Sequence, residues 1–173
     1  MTKEKLADLA AFADEISAEP AFTRMSLDNL GNAEIIRRQL QVELEKHFRA
    51  KESRDALVRR IQKVANATRQ RAETAAQTEK TRALNSARCE QRIRKYLADY
   101  EKAAKGHRKR PEEPKGQWIN PRTAKEPRPE HVAISGKILP LGQEFLPGLR
   151  MPGDPNAPAR QTIRCHCYLR MVD

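Results

Sequence analysis

The side chains of this 173-residue chain that could do chemistry are few, and the densest group lies in its last ten residues. Cys165 and Cys167 stand in a run that alternates strictly. Ile163, Cys165, Cys167, Leu169 and Met171 share one side; Arg164, His166, Tyr168 and Arg170 share the other. A period of two is that of a half-buried β-strand, so both thiols occupy one face. His131 lies upstream, in a segment that reads as the neighbouring strand. Two thiolates and one imidazole are three ligands of a tetrahedral zinc site, with His107, His166 or water as candidates for the fourth. His166, however, falls on the opposite face from the cysteines. The competing reading makes both thiols core-facing hydrophobes, as Ile163 and Leu169 beside them imply. His131 then becomes a hydrogen-bonded post, joining its hairpin to the Pro152–Pro155 loop through Asp154. No cofactor is demanded by the sequence, and zinc is the one metal its residues suggest. Cys89 brings the cysteines to three, too few for a disulfide framework. On an extended strand the Cα atoms of Cys165 and Cys167 stand roughly 6.5 Å apart, near the limit for a bridge, so reduced thiols are expected.

Other catalytic patterns are missing. The chain contains no G-x-S-x-G, no phosphate-cradling glycine loop and no H-E-x-x-H. Its adjacent acids Glu112 and Glu113 sit in a proline-bounded stretch. A thiol or metal hydrolase would have to rest on Cys165 or His131, and neither stands in a recognisable nucleophile setting. The sequence therefore reads as a non-enzyme.

The elements that must position these residues divide at residue 105. Ten of eleven prolines follow residue 110, and six of seven glycines lie at or after Gly106. Both residue types interrupt helices. The predicted fold is α+β: a helical region over 1–105, a basic, proline-containing linker over 106–117, and a small β-containing module over 118–173. Leu6, Leu9, Ala10, Ala13 and Ile16 mark a first amphipathic helix that Pro20 ends. Ser26 or Asn32 is placed to cap a second, which carries Ile35, Ile36, Leu40, Leu44 and Phe48. Ser53 opens a third, whose stripe Leu57, Ile61, Val64, Thr68, Ala72, Ala75 and Glu79 predicts one long helix running to about Ala104. Beyond the linker, Val132–Ser135 and Ile138–Leu141 read as a hairpin around Gly136. Trp118 is its apolar plug.

Charge is confined as well. Residues 1–33 carry a net −3, residues 34–110 a net +12 and residues 111–173 a net +2. The basic region from 34 onward expects a polyanion or an acidic protein surface as its neighbour. Arg108, Lys109 and Arg110 are candidate phosphate contacts or simply a solvated linker. Stacking aromatics and finger motifs are lacking, so contact with double-stranded DNA would be non-specific and salt-dependent. At 38% apolar and 5% aromatic residues the chain is lean in core material, which suggests burial completed on partners or on further copies of itself. No apolar run is long enough to span a membrane and no signal peptide is evident, so a cytoplasmic setting is expected.

Three blocks, in order, resemble the phage Mu F-like minor head (head morphogenesis) proteins. The first is Thr78, Glu79, Arg82 and Asn85; Glu79 and Arg82 stand at i, i+3, and Thr78, Arg82 and Asn85 share nearly one helix face. It reads either as a docking stripe or as a self-paired patch. The second runs from Trp118 through Arg128 and His131 to Gly136 and Phe145. The third is the loop Pro152-Gly153-Asp154-Pro155, leading to Cys165 and Cys167. Departures are visible: Arg164 stands where the family usually has Asn, His166 where it has Arg, and the usual Asp before Arg128 is missing, with Glu126 the nearest acid. The resemblance covers about 70–171, and it implies a short version of the family with no appended C-terminal enzyme domain. It implies a virion minor head protein near the portal, with portal protein and the major capsid protein as partners, acting in head assembly and in DNA packaging or delivery. The alternative is a stand-alone basic DNA-binding module carrying a small zinc-stabilised domain.

Overall fold

The computed structural model describes residues 2–18, 22, 33–106 and 108–172. Its elements run α1 (Lys3–Ala18), α2 (Ala33–Ala50), α3 (Arg54–Ala65), α4 (Arg69–Lys105), β1 (Lys115–Ile119), α5 (Pro129–Ala133), β2 (Ile138–Pro140), α6 (Ala159–Thr162) and β3 (Tyr168–Val172). Long helices thus precede a small three-stranded antiparallel sheet, ordered β2-β1-β3. No helix among the described residues is long and apolar enough to cross a membrane. The chain divides into two compact units: Pro20–Lys80, and Met1–Glu19 together with Thr81–Asp173.

The unit of Pro20–Lys80 is helical, with a core built from Phe22, Leu40 and Leu44, from Leu57, Val58 and Ile61, and from the small residues Ala72, Ala75 and Ala76. Ser53 caps α3 as its sequence position predicts, its hydroxyl accepting from the Ala56 N–H. The single long helix expected from Ser53 onward does not form. Asn66 adopts the left-handed conformation (φ 45°, ψ 40°), donates its N–H to the Gln62 carbonyl and closes α3. Asn tolerates this geometry better than most residues, and the chain restarts as α4 after Thr68. The apolar stripe passes through the break because both helices contribute to one core, so period alone could not reveal it. The capping positions expected at Ser26 or Asn32, and the stop at Pro20, lie outside the described residues.

In the other unit α1, the C-terminal part of α4 and the β module share a second core, in which Leu9, Phe12, Cys89, Ile93, Trp118, Phe145, Leu149, Met151 and Leu169 are buried. Arg150 ties α1 to the module. Its guanidinium donates to both carboxylate oxygens of Glu15 and to buried Asp154, and it lies 4.6 Å from the Phe12 ring centre. Glu15 is held below the usual carboxylate range chiefly by its hydrogen bond from Arg150.

The sheet departs from the expected hairpin. Val132 belongs to α5, because Pro129 at the first helical position suits a helix start and the Arg128 carbonyl accepts from both His131 and Val132. The partner of β2 is β1, which takes in Lys115–Gln117 from the stretch read as linker. The terminal strand is also shorter than its alternation implies: only Tyr168–Val172 pairs, in a register that sets Leu169 opposite Trp118. The in–out pattern survives all the same. Cys165, Cys167 and Leu169 are buried, Ile163 and Met171 half-buried, and Arg164, Tyr168 and Arg170 exposed.

Substitution Asn66→Ala should destabilise the protein by about 1 kcal/mol, since Ala lacks the tolerance of Asn for left-handed backbone, whereas Asn66→Gly should be neutral or mildly stabilising. Urea denaturation of the two variants checks this. Equal stability of both would mean the helix break is held by something other than Asn66.

Candidate metal centre

Four segments bring His131, Cys165 and Cys167 together. Arg128 begins α5 and its side chain reaches across to α6, Nε donating to the Arg160 carbonyl at 2.6 Å and Nη2 to the Ile163 carbonyl at 2.7 Å. The clamp holds the helix bearing His131 against the helix bearing Gln161. Cys165 is set by its own N–H to the Thr162 carbonyl, after a left-handed residue at Arg164 (φ 54°).

The fourth segment is α4. Its Thr81 hydroxyl donates to the Cys165 carbonyl at 2.6 Å. Asn85 accepts from the Leu169 N–H at 2.8 Å and donates to the carbonyls of Thr81 at 2.8 Å and Cys167 at 3.5 Å. Both side chains are buried. Helix α4 therefore supplies the backbone partners that a further strand would otherwise give to residues 165–169. In the loop before α6, Gly153 (φ +78°) lies so close to α4 that a Cβ there would fall 2.8 Å from the Arg82 Cα. Only glycine permits that approach. Thr78 and Glu79, from the same sequence block, are buried residues of the helical unit, with the Thr78 hydroxyl donating to the Thr74 carbonyl.

The ligand atoms of His131, Cys165 and Cys167 all lie within 4.8 Å of one another, and the three residues are 1%, 2% and 4% exposed. His131 Nδ1 is 3.6 Å from each sulfur. Its other nitrogen, Nε2, is 2.8 Å from Gln161 Oε1. Trp118 stands edge-on to the imidazole at 5.1 Å between ring centres and packs on Phe145 at 5.3 Å. Its indole Nε1 is buried without a hydrogen-bond partner of normal geometry, and it favours the ionised form of the Cys167 sulfur. Cys165 is lowered below the ordinary thiol range, chiefly because the Cys167 thiol donates to its sulfur, while burial opposes. Cys167 is raised, by giving that hydrogen bond and by burial. A buried pair of sulfurs with an imidazole nitrogen alongside is a set of donors that could hold a soft or borderline metal ion.

Other sequence candidates fall elsewhere. His166 is half-buried, with its Nδ1 3.2 Å from the Thr123 hydroxyl, and takes no part in the cluster. His107 lies outside the described residues. Asp154 is not the partner of His131. Its carboxylate accepts from the Arg150 side chain and from the backbone N–H groups of Arg150 and Asn156, so it braces its own loop. Gly136 (φ +96°) donates its N–H to the Trp118 carbonyl at 2.8 Å. Arg108, Lys109 and Arg110 are exposed, Arg110 lying 5.1 Å from the Tyr100 ring centre. Sequence reasoning missed Thr81 and Gln161. Neither belongs to a recognisable spacing, and each matters only through what the fold sets beside it. All three cysteines are free thiols.

The chain matches no family model, no curated protein and no solved structure.

Two outcomes are expected of the residues that frame the cluster. Asn85→Ala strips the Leu169 N–H of its partner and should cost about 1–3 kcal/mol, with hydrogen exchange at Leu169 accelerated. Unchanged protection of that amide would contradict the assigned role. Cys89, away from the cluster, is pushed up to about 12 mainly by burial, with Asp154 adding. Its folded value lies above the unfolded one, so its contribution is intact below about pH 8.5 and is lost as pH rises toward 12. Between these limits the wild type should lose stability relative to Cys89→Ala by about 1.4 kcal/mol per pH unit. Parallel stability curves for the two proteins above pH 9 would refute this.

Proposed function

We propose that the chain is a minor head protein of a phage virion, a structural component without catalytic activity. In this reading it associates with the portal protein and also reaches the major capsid protein. The β module is its folded knob, and the basic helices lie beside packaged double-stranded DNA during head assembly and DNA packaging or delivery. One observation carries the proposal. The motif residues Arg82, Asn85, Trp118, Arg128, His131, Phe145, Gly153, Asp154, Cys165 and Cys167 are scattered between positions 82 and 167, yet all belong to the unit built from Met1–Glu19 and Thr81–Asp173, while Thr78 and Glu79 of the first block belong to the other unit. Within it, Gly153 packs on Arg82, Asn85 holds the strand after Cys167, and His131 meets both thiols. A resemblance made of three separate blocks is supported when the residues of those blocks have structural reasons to occur together.

The metal we assign to the cluster is zinc. Zn–S bonds of about 2.3 Å and Zn–N bonds of about 2.0–2.1 Å meeting at a tetrahedral angle separate N from S by about 3.6 Å. His131 Nδ1 stands 3.6 Å from each sulfur. Two sulfurs and an imidazole nitrogen converge on one point, where one ion satisfies all three donors. Zinc here would staple the knob, and its role would be structural. The same observation is what favours the second reading, a stand-alone basic DNA-binding module with a zinc-stabilised domain. Arg108, Lys109 and the exposed lysines Lys102 and Lys105 would then contact phosphates.

Folded protein immobilised on resin should retain portal protein from a lysate of the phage that carries this chain. Recovery of DNA without portal protein would favour the second reading. Recovery of neither would sink the first. For zinc, adding the ion at about 100 times its Kd should raise stability by about 2.7 kcal/mol, or Tm by roughly 5–10 °C, and change the fluorescence of Trp118. Cys165→Ala should abolish both responses.

A further inference from the structure

The zinc assignment leaves two features of the surroundings unexplained: why His131 presents Nδ1 and not Nε2, and why Gln161 is buried on a four-residue helix. Gln161 is 9% exposed, and its amide faces two groups. The Glu130 carboxylate, which can only accept, lies 3.4 Å from the amide nitrogen. His131 Nε2 lies 2.8 Å from the amide oxygen. An amide oxygen cannot donate, so Nε2 must carry the proton. In the neutral ring Nδ1 is then the bare lone pair, aimed at the two sulfurs. The order Glu130, Gln161, His131 is therefore a directional chain of hydrogen bonds that selects one tautomer. The Arg128 clamp on the Arg160 and Ile163 carbonyls holds the two short helices in the register it needs.

We infer that Gln161 is a positioning residue of the metal centre, fixing the His131 tautomer so that Nδ1 is committed to the ion shared with Cys165 and Cys167. This rests on the metal reading of the cluster, but only in part, because the tautomer belongs to the metal-free protein. An outer-shell acceptor on the far nitrogen of a ligating histidine both orients the ring and raises its basicity, and losing one typically weakens metal binding about 10–100-fold. Packing alone would make no demand on which nitrogen carries the proton.

The experiment uses the full chain. Long-range ¹H–¹⁵N correlation spectra of the reduced, metal-free wild type should show His131 protonated at Nε2. Titration with cobalt(II), followed through its thiolate charge-transfer and d–d absorption, should give a site with two sulfur ligands. Gln161→Leu should weaken cobalt and zinc binding about 10–100-fold and let the His131 tautomers mix. The exchange variant Glu130→Gln with Gln161→Glu restores an acceptor at Nε2 and a donor beside it, and should bind within about threefold of wild type, which packing at 161 alone would not predict. Wild-type His131 protonated at Nδ1 would overturn the assignment even if Gln161→Leu failed to fold. Wild-type affinity in a folded Gln161→Leu would overturn it too. If the wild type bound neither metal, the zinc reading would fall, and an Nε2–H tautomer in the wild type that mixes in Gln161→Leu would still support the assignment of Gln161.

Discussion

Backbone groups of residues 165–169 are buried against α4, and buried N–H and C=O groups must find partners. Thr81 and Asn85 supply them, at 2.6 Å to the Cys165 carbonyl and 2.8 Å from the Leu169 N–H. Much else in the module follows from this constraint. With its backbone held by a helix, the segment before β3 needs no strand neighbour, so β3 pairs only from Tyr168 onward. Cys165 and Cys167 are then fixed from behind, and their side chains project together toward α5. The close approach of Gly153 to Arg82 belongs to the same docking surface, one turn of α4 away from Asn85.

The cluster of His131, Cys165 and Cys167 is a consequence of that docking and not an independent motif. Three donors come from two places in the sequence, and neither place has the spacing of a zinc finger. What makes them a set is the pair of clamps, Arg128 joining α5 to α6 and α4 holding the cysteine segment. Burial then shapes the electrostatics: the Cys167 thiol, by donating to the Cys165 sulfur, lowers that thiol and is itself raised, and His131 faces both sulfurs while its far nitrogen meets Gln161. Such a site is well suited to holding a small knob together, because a core lean in apolar residues gains from any additional cross-link.

Large parts of this were legible before the fold was known. The alternation from Ile163 to Met171 identified which side chains turn inward, because burial on one face imposes a period of two whether or not the backbone pairs as a strand. The same logic explains the miss: a period of two reports facing, while strand length depends on a hydrogen-bonding neighbour. For Cys165 and Cys167 that neighbour is the helix α4. The break at Asn66 escaped for a related reason, since an apolar stripe continues through a helix end when both helices face one core. Val132 was drawn into a strand by its β-branched type, and Pro129 with the Arg128 carbonyl overrode that preference.

By itself the sequence determined the order of elements, long helices and then a small sheet, through the confinement of proline and glycine to the second part. It also determined the inward face of the last segment and the three residues able to bind a metal, because facing and ligand chemistry are local properties. Only the tertiary structure decided that Thr81, Asn85 and Gln161 serve those residues, that Asp154 braces Arg150 and not His131, and that His131 meets the thiols through Nδ1. Those are matters of which polar group lies within about 3 Å of which other, a distance that chain separation does not constrain.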